Sequence, residues 1–236
     1  ARGVNVAVPF AIAASAASHA LAQKPGGVLR SYNSSNPPSA SIHEEATIAT
    51  AMPFSAVFNN LMIFDPSKPR NGFDTIVPEL AESWAWDETR TRFTVKLRRG
   101  VKWHDGKPFT AKDVQCTWHR LIGKDPDDFR KNPRSIWWRN LTEVSLNGDF
   151  EATFVLSAPQ ASLPVLLATN LSPVYPWHVA PKDMRTKPIG TGPFRFVAFD
   201  SNKSITLEKN KEYWKPGRPY LDGIQFSIMG SRSTRT

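Results

Sequence analysis

The run from Phe93 to Val114, F-T-V-K-L-R-R-G-V-K-W-H-D-G-K-P-F-T-A-K-D-V, constrains the fold more than any other stretch of this chain. Phe93, Val95 and Leu97 alternate with Arg92, Thr94, Lys96 and Arg98, the period-two pattern of a strand with one face in a core. Gly100 breaks that strand. Val101 and Trp103 then resume the alternation, which predicts a second strand as far as Asp105-Gly106, a tight-turn dipeptide. Thr110 stands three residues before Asp113, the spacing of a capping box in which side chains satisfy the free backbone N–H groups of a helix start. The helix so opened presents Val114, Trp118, Leu121 and Ile122 on one face and stops at Gly123, a natural left-handed cap. Strand and helix periods in such close succession predict an α+β chain.

Composition narrows the class. With 40% hydrophobic and 22% charged residues the chain is globular, not disordered. Cys116 is the only cysteine, so no intrachain disulfide is possible. Lacking a Cys/His neighbourhood, it reads as an inert thiol in the helix. The first 22 residues read as an export signal: Arg2 is a basic remnant, Val4 to Ala17 is uncharged and Ala/Val-rich, and Ala20-Leu21-Ala22 is a small-x-small cleavage site. The expected location is periplasmic, with cleavage after Ala22. The net charge of +9 raises the question of nucleic acid. Trp103 near Arg98, Arg99 and Lys102, or Trp137-Trp138-Arg139, could be drawn as stacking platforms with phosphate contacts. The basic residues are dispersed and strand-alternating, which predicts a solvated face and no nucleic-acid partner.

Along the chain, Val28 to Tyr32 reads as a short strand running into the polar cluster Asn33-Ser34-Ser35-Asn36. A helix within 42–60 presents Phe54, Val57, Phe58 and Leu61. The loop 67–74 is exposed, Pro78 to Ser83 forms a helical turn, and Trp84 and Trp86 start a strand. Leu141 to Leu146 and Glu151 to Leu156 form a hairpin about Asn147-Gly148. Ala161 to Thr169 is helical, and Trp137-Trp138 reads as packing or a surface loop. Strands follow at Phe194–Phe199, Ile205–Leu207 and Ile224–Ile228.

P-E-L-A-E-S-W at Pro78–Trp84, G-T-G-P-F at Gly190–Phe194 and N-K-E-Y-W at Asn210–Trp214 complete a set of ordered motifs with the opening run. Together they resemble the extracytoplasmic solute-binding proteins of peptide- and nickel-type ABC importers, the dipeptide- and oligopeptide-binding family. The resemblance implies a periplasmic-binding-protein-like first lobe. Its mixed sheet core would come from residues 23–47 and 186–236, interrupted by an inserted α+β subdomain at 48–185. Members of the family run to roughly twice this length, so the resemblance also implies that the second lobe is absent from this sequence.

No G-x-S-x-G, H-E-x-x-H, phosphate-loop or dinucleotide motif occurs, so no catalytic residue and no cofactor is expected. His43-Glu44-Glu45 is half a zinc motif without its second histidine, and no metal site is expected. His104-Asp105 reads as a strand end and turn, not as a base with its orienting carboxylate. The candidate ligand contacts are Tyr32, Asn33 and Ser34, where a strand opens into a polar loop, followed by Asn59 and Asn60 at a helix end. Thr191 offers a hydroxyl. Tyr175 and Trp177 shortly precede the G-T-G-P-F turn, where the resemblance places the edge of a cleft. In peptide-binding relatives the carboxylate that receives the ligand amino group belongs to the second lobe, so no residue here takes that role. The expected protein is a non-catalytic receptor that captures a peptide or other small solute for an ABC permease. The alternative is an exported enzyme whose catalytic groups lie in the missing half.

Overall fold

The computed structural model describes residues 25–127 and 129–230, so the expected export segment and its cleavage site lie outside the described residues. In chain order the elements are β1 (Val28–Asn33), α1 (Ile48–Phe54), β2 (Met62–Phe64), β3 (Ile76–Pro78), β4 (Ala81–Trp86), β5 (Arg92–Leu97) and α2 (Ala111–Leu121). They continue with β6 (Leu141–Leu146), β7 (Glu151–Leu156), α3 (Leu163–Ala168), α4 (Pro181–Met184), β8 (Phe194–Asp200), β9 (Ser204–Lys209) and β10 (Gly223–Ile228).

The longer strands divide between two four-stranded sheets, ordered β1-β10-β9-β8 and β4-β5-β7-β6, while β2 and β3 pair separately. β1 runs parallel to β10, with Val28 opposite Gly223 and Asn33 opposite Ile228. A parallel pair cannot be closed by a hairpin and needs a crossover. Here that crossover contains every other element of the described chain. The second sheet is antiparallel throughout, which fits its hairpin connection and its alternating burial. Phe93, Val95 and Leu97 are buried as their period predicts.

α2 packs on β6 and β7 by the face that its sequence marks as apolar. Trp118 meets the Phe154 ring edge-on at 5.0 Å and Trp138 at 5.9 Å, and Gln115 Nε2 donates to the Val144 carbonyl at 2.8 Å. Burial of each such aromatic contributes about 2–3 kcal/mol. Asp113 opens the helix by accepting the Thr110 N–H at 2.8 Å, and the same carboxylate takes the Trp177 N–H at 2.9 Å. The helix ends where Gly123 enters the left-handed region at φ 71°. Cys116 donates weakly to Asp125 at 3.2 Å, and burial pushes its pKa up to about 12, as an inert thiol requires.

Two local expectations are corrected. Residues 78–83 do not form a helical turn but the end of β3 and the start of β4. The N–H groups of Glu79, Leu80 and Ala81 are taken by the Leu61 and Asn60 carbonyls at 2.8–3.3 Å, so long-range pairing overrides the local helical preference. The strand expected at 101–103 shrinks to a single bridge between Lys102 and Pro108. Trp103 is drawn instead into the turn, its N–H on the Lys107 carbonyl and its carbonyl accepting from Gly106, both at 2.8 Å.

The G-T-G-P-F turn packs directly on backbone. Gly192 N–H donates to the Val57 carbonyl at 2.9 Å, and a Cβ built on Gly190 would stand 1.8 Å from that same oxygen. Gly190→Ala should therefore lose about 3 kcal/mol through backbone overpacking. Gly148→Ala, in the open hairpin turn with nothing within 4 Å of a built Cβ, should lose only about 1 kcal/mol of left-handed strain. Urea unfolding measures both; equal losses would contradict the contact.

Candidate functional site

Three of the sequence motifs converge on one side chain, Asn59. Its Oδ1 accepts the Thr191 hydroxyl at 3.1 Å and Trp214 Nε1 at 3.2 Å. Its Nδ2 donates to the Glu79 carboxylate at 2.5 Å and to the Tyr213 hydroxyl at 3.2 Å. Glu79 is ion-paired with Lys215, and Asn210 Nδ2 donates to the Gly192 carbonyl at 3.1 Å. P-E-L-A-E-S-W, G-T-G-P-F and N-K-E-Y-W thus supply one buried polar network with every carboxamide atom of Asn59 satisfied.

His104 adds a tether to the same turn. Its Nδ1 accepts the Gly190 N–H at 3.3 Å, so Nε2 carries the proton and donates to the Gly192 carbonyl at 3.0 Å. Asp105 does not orient His104; it bonds His178 Nε2 at 2.7 Å.

The loop after β1 is clamped by cations from distant segments. Glu44, fully buried, receives Arg185 Nε and a second Arg185 nitrogen at 2.7 and 2.8 Å. Glu45 receives Ser39 at 2.8 Å, Arg130 at 2.6 Å and Lys131 at 2.9 Å. Arg134 donates to the Glu45 and Ile42 carbonyls. Burial opposes ionisation of Glu44, but its bonds from Arg185 and the Arg130 N–H hold its pKa below the usual glutamate value. His43 bonds the Pro173 carbonyl at 2.7 Å, and its ring packs 4.6 Å from Tyr175. His-Glu-Glu is therefore an anchor of this loop, and among the described residues no three His, Cys, Asp or Glu side chains are grouped to hold a metal.

The clamped loop helps to wall a cavity of about 560 Å³ where the ends of α1, β2 and α3 meet. Ile42, Phe58, Ile63 and Leu171 give it apolar surface, and Asn59 and Asn60 line it. Tyr175 stands behind this wall, stacked 5.0 Å from Phe58, with its hydroxyl accepting the Ile42 N–H at 2.8 Å. Thr191 stands behind Asn59. The candidate residues Asn59, Asn60, Tyr175 and Thr191 are thus gathered in and around one cavity. Tyr32, Asn33, Ser34 and Trp177 do not line it. Asn33 is buried and donates to the Ala49 carbonyl of α1 at 2.8 Å, its neighbours Tyr32 and Ser34 are exposed, and Trp177 lies under the Lys112 ammonium at 3.4 Å. Ile42, Asn71, Asn170 and Leu171 line the cavity without having been singled out in the sequence. Asn170, a polar residue just past an apolar helix, carried the one local signal.

The arrangement is that of a lobe of a periplasmic binding protein, and known proteins share it. AppA of Bacillus subtilis in complex with a nonapeptide superposes with a TM-score of 0.75 at 28% identity over 87% of this chain and 40% of its own. AgaA of A. tumefaciens R10 with agropinic acid gives 0.77 at 26% identity over 89% of this chain and 41% of its own. The model of bacterial extracellular solute-binding proteins, family 5 (middle), matches residues 75–236, and the chain belongs to that family. Di/tripeptide-binding protein 1 of Pseudomonas aeruginosa is 30% identical over 200 residues, 76% of this chain and 36% of the relative. The chain thus spans about a third of that curated relative's length.

The buried imidazoles set a pH dependence. Burial pushes the His43 pKa down from 6.5 to about 3 and that of His104 to about 4. Folded pKa values below the unfolded ones mean stability that is complete above pH 6.5 and lost on acidification, because only the unfolded chain binds the protons readily. Glu44, its folded pKa below 4.5, adds a further loss at lower pH. Urea midpoints should hold from about pH 8 to 6.5 and then fall steadily towards about pH 4. A midpoint constant down to about pH 5 would contradict the two neutral imidazoles.

Proposed function

We propose that this chain forms the first lobe of a non-catalytic solute receptor of an ABC importer. In this reading the receptor captures a peptide or other small solute in a two-lobed cleft and delivers it to a membrane permease. The observation that carries the reading is the preformed cavity. Its wall is pinned by ion pairs and its backbone by the Asn59 network, an arrangement that holds a ligand in place without moving to meet it. Family membership supports the same reading, and so do relatives named for di/tripeptide binding or solved with a nonapeptide. Export through residues 1–22, with cleavage after Ala22 into the periplasm, belongs to it.

We also propose that residues 23–47 and 186–236 form the lobe core and 48–185 an inserted subdomain. The strand orders β1-β10-β9-β8 and β4-β5-β7-β6 support this division. Asn59 and Asn60 are the proposed cavity contacts, with Tyr175 and Thr191 supporting the wall from behind, and Tyr32, Asn33, Ser34 and Trp177 are proposed as contacts elsewhere on the lobe.

Titration calorimetry of the full-length receptor with alanine-based dipeptides to pentapeptides, and with agropinic acid, tests the reading. Binding of a peptide at about 1 μM, or about −8 kcal/mol, is the expected result. Absence of heat with every one of these solutes would overturn it.

A further inference from the structure

We infer that the cavity walled by Phe58, Ile63 and Leu171 takes an uncharged, part-apolar residue of the solute, with Asn71 and Asn170 as its hydrogen-bonding rim. The inference deepens the receptor reading and rests on it.

Charged residues make up 22% of the chain, yet among the described residues none lines this cavity. The lack is local. A second cavity, of about 540 Å³, carries Glu79, Lys215 and Arg218 on its wall. An ionised side chain entering the first cavity would give up water and find no countercharge in return. An apolar or amide side chain loses far less.

The polar groups that remain point to a neutral partner. Asn59 is saturated within the protein, and Asn60 Nδ2 is bonded to the Thr169 carbonyl. Asn71 and Asn170 are exposed, line the cavity, and make no side-chain hydrogen bond among the described residues. A carboxamide both donates and accepts, which suits an amide or hydroxyl on the ligand and compensates neither a full positive nor a full negative charge. The wall is also poorly able to rearrange around a charge. Ile42 is held by Tyr175 and Arg134, and Phe58 is stacked on Tyr175.

The test is calorimetry of the full-length receptor with tetra-alanine and its variants carrying Gln, Leu, Asp or Lys at each position in turn. At one position Gln and Leu should bind at least about tenfold tighter than Asp and Lys, the scale set by leaving a buried polar group unpaired. Asn170→Asp and, independently, Asn71→Asp should reverse the Gln-over-Lys preference at that position alone. Both sites are exposed, and a thermal melt confirms the fold of each variant. If the wild type binds these peptides but no position disfavours charge, the inference is overturned and the receptor reading stands. The same holds if neither variant changes the Gln/Lys ratio. If no peptide binds while agropinic acid does, the cavity's peptide chemistry falls and the receptor reading survives. If nothing binds, both fall.

Discussion

The carboxamide of Asn59 is the point on which the rest of the structure depends. It sits just past the 3₁₀ turn Ser55–Val57, and its four hydrogen bonds reach residues 79, 191, 213 and 214. A buried carboxamide with all its partners is stable; one left unpaired costs about 1–3 kcal/mol for each lost group. Losing Asn59 would orphan partners in three segments at once. The backbone contact beside it, Gly192 on Val57, fixes how closely those segments approach. Together these contacts hold the residues leading into β4 and β8, strands of different sheets, to the segment just after α1.

The second constraint is electrostatic. Glu44 and Glu45 are buried carboxylates, and burying either without a cation would be prohibitive. Arg185, Arg130 and Lys131 supply the compensation and draw the loop after β1 against distant segments, while Ser39 adds a hydrogen bond from within the loop. Such pairs add little net stability over apolar packing, but they specify one arrangement of the loop. That arrangement places Ile42 in the cavity wall. In the proposed receptor, positional order there would lower the conformational entropy cost of binding a solute. A pinned wall and a saturated Asn59 would leave that receptor's selectivity to Asn71 and Asn170 at the rim.

The candidate residues show how far residue type and position reach. Asn59 and Thr191 are polar residues at an element end and a turn, and both are near the cavity. Their polarity serves the scaffold, since each spends its hydrogen bonds on the protein. Tyr175 shortly precedes the G-T-G-P-F turn as an aromatic platform would, but it is fully buried and supports the wall from behind. Asn71 and Asn170, whose carboxamides have no partner among the described residues, were less legible: the sequence marks the loop of Asn71 only as exposed, and Asn170 only as polar just past an apolar helix.

The sequence by itself determined the local elements wherever period, cap and turn agreed. The β5 alternation, the Asp113-capped α2 with its Gly123 stop, the Asn147-Gly148 hairpin and the strands of the last third are all set by neighbours within a few residues. The set of ordered motifs determined the family as well. Only the tertiary structure decided what those motifs do, because hydrogen bonds between residues about 20 to 155 positions apart leave no periodic trace. The same distance effect turned residues 78–83 from an expected helical turn into strand, when the Leu61 and Asn60 carbonyls captured their N–H groups. It also decided the cavity. Its walls come from the segment after α1, from β2, from the end of α3 and from the loop after β1, and burial and charge compensation, rather than local preference, bring those segments together.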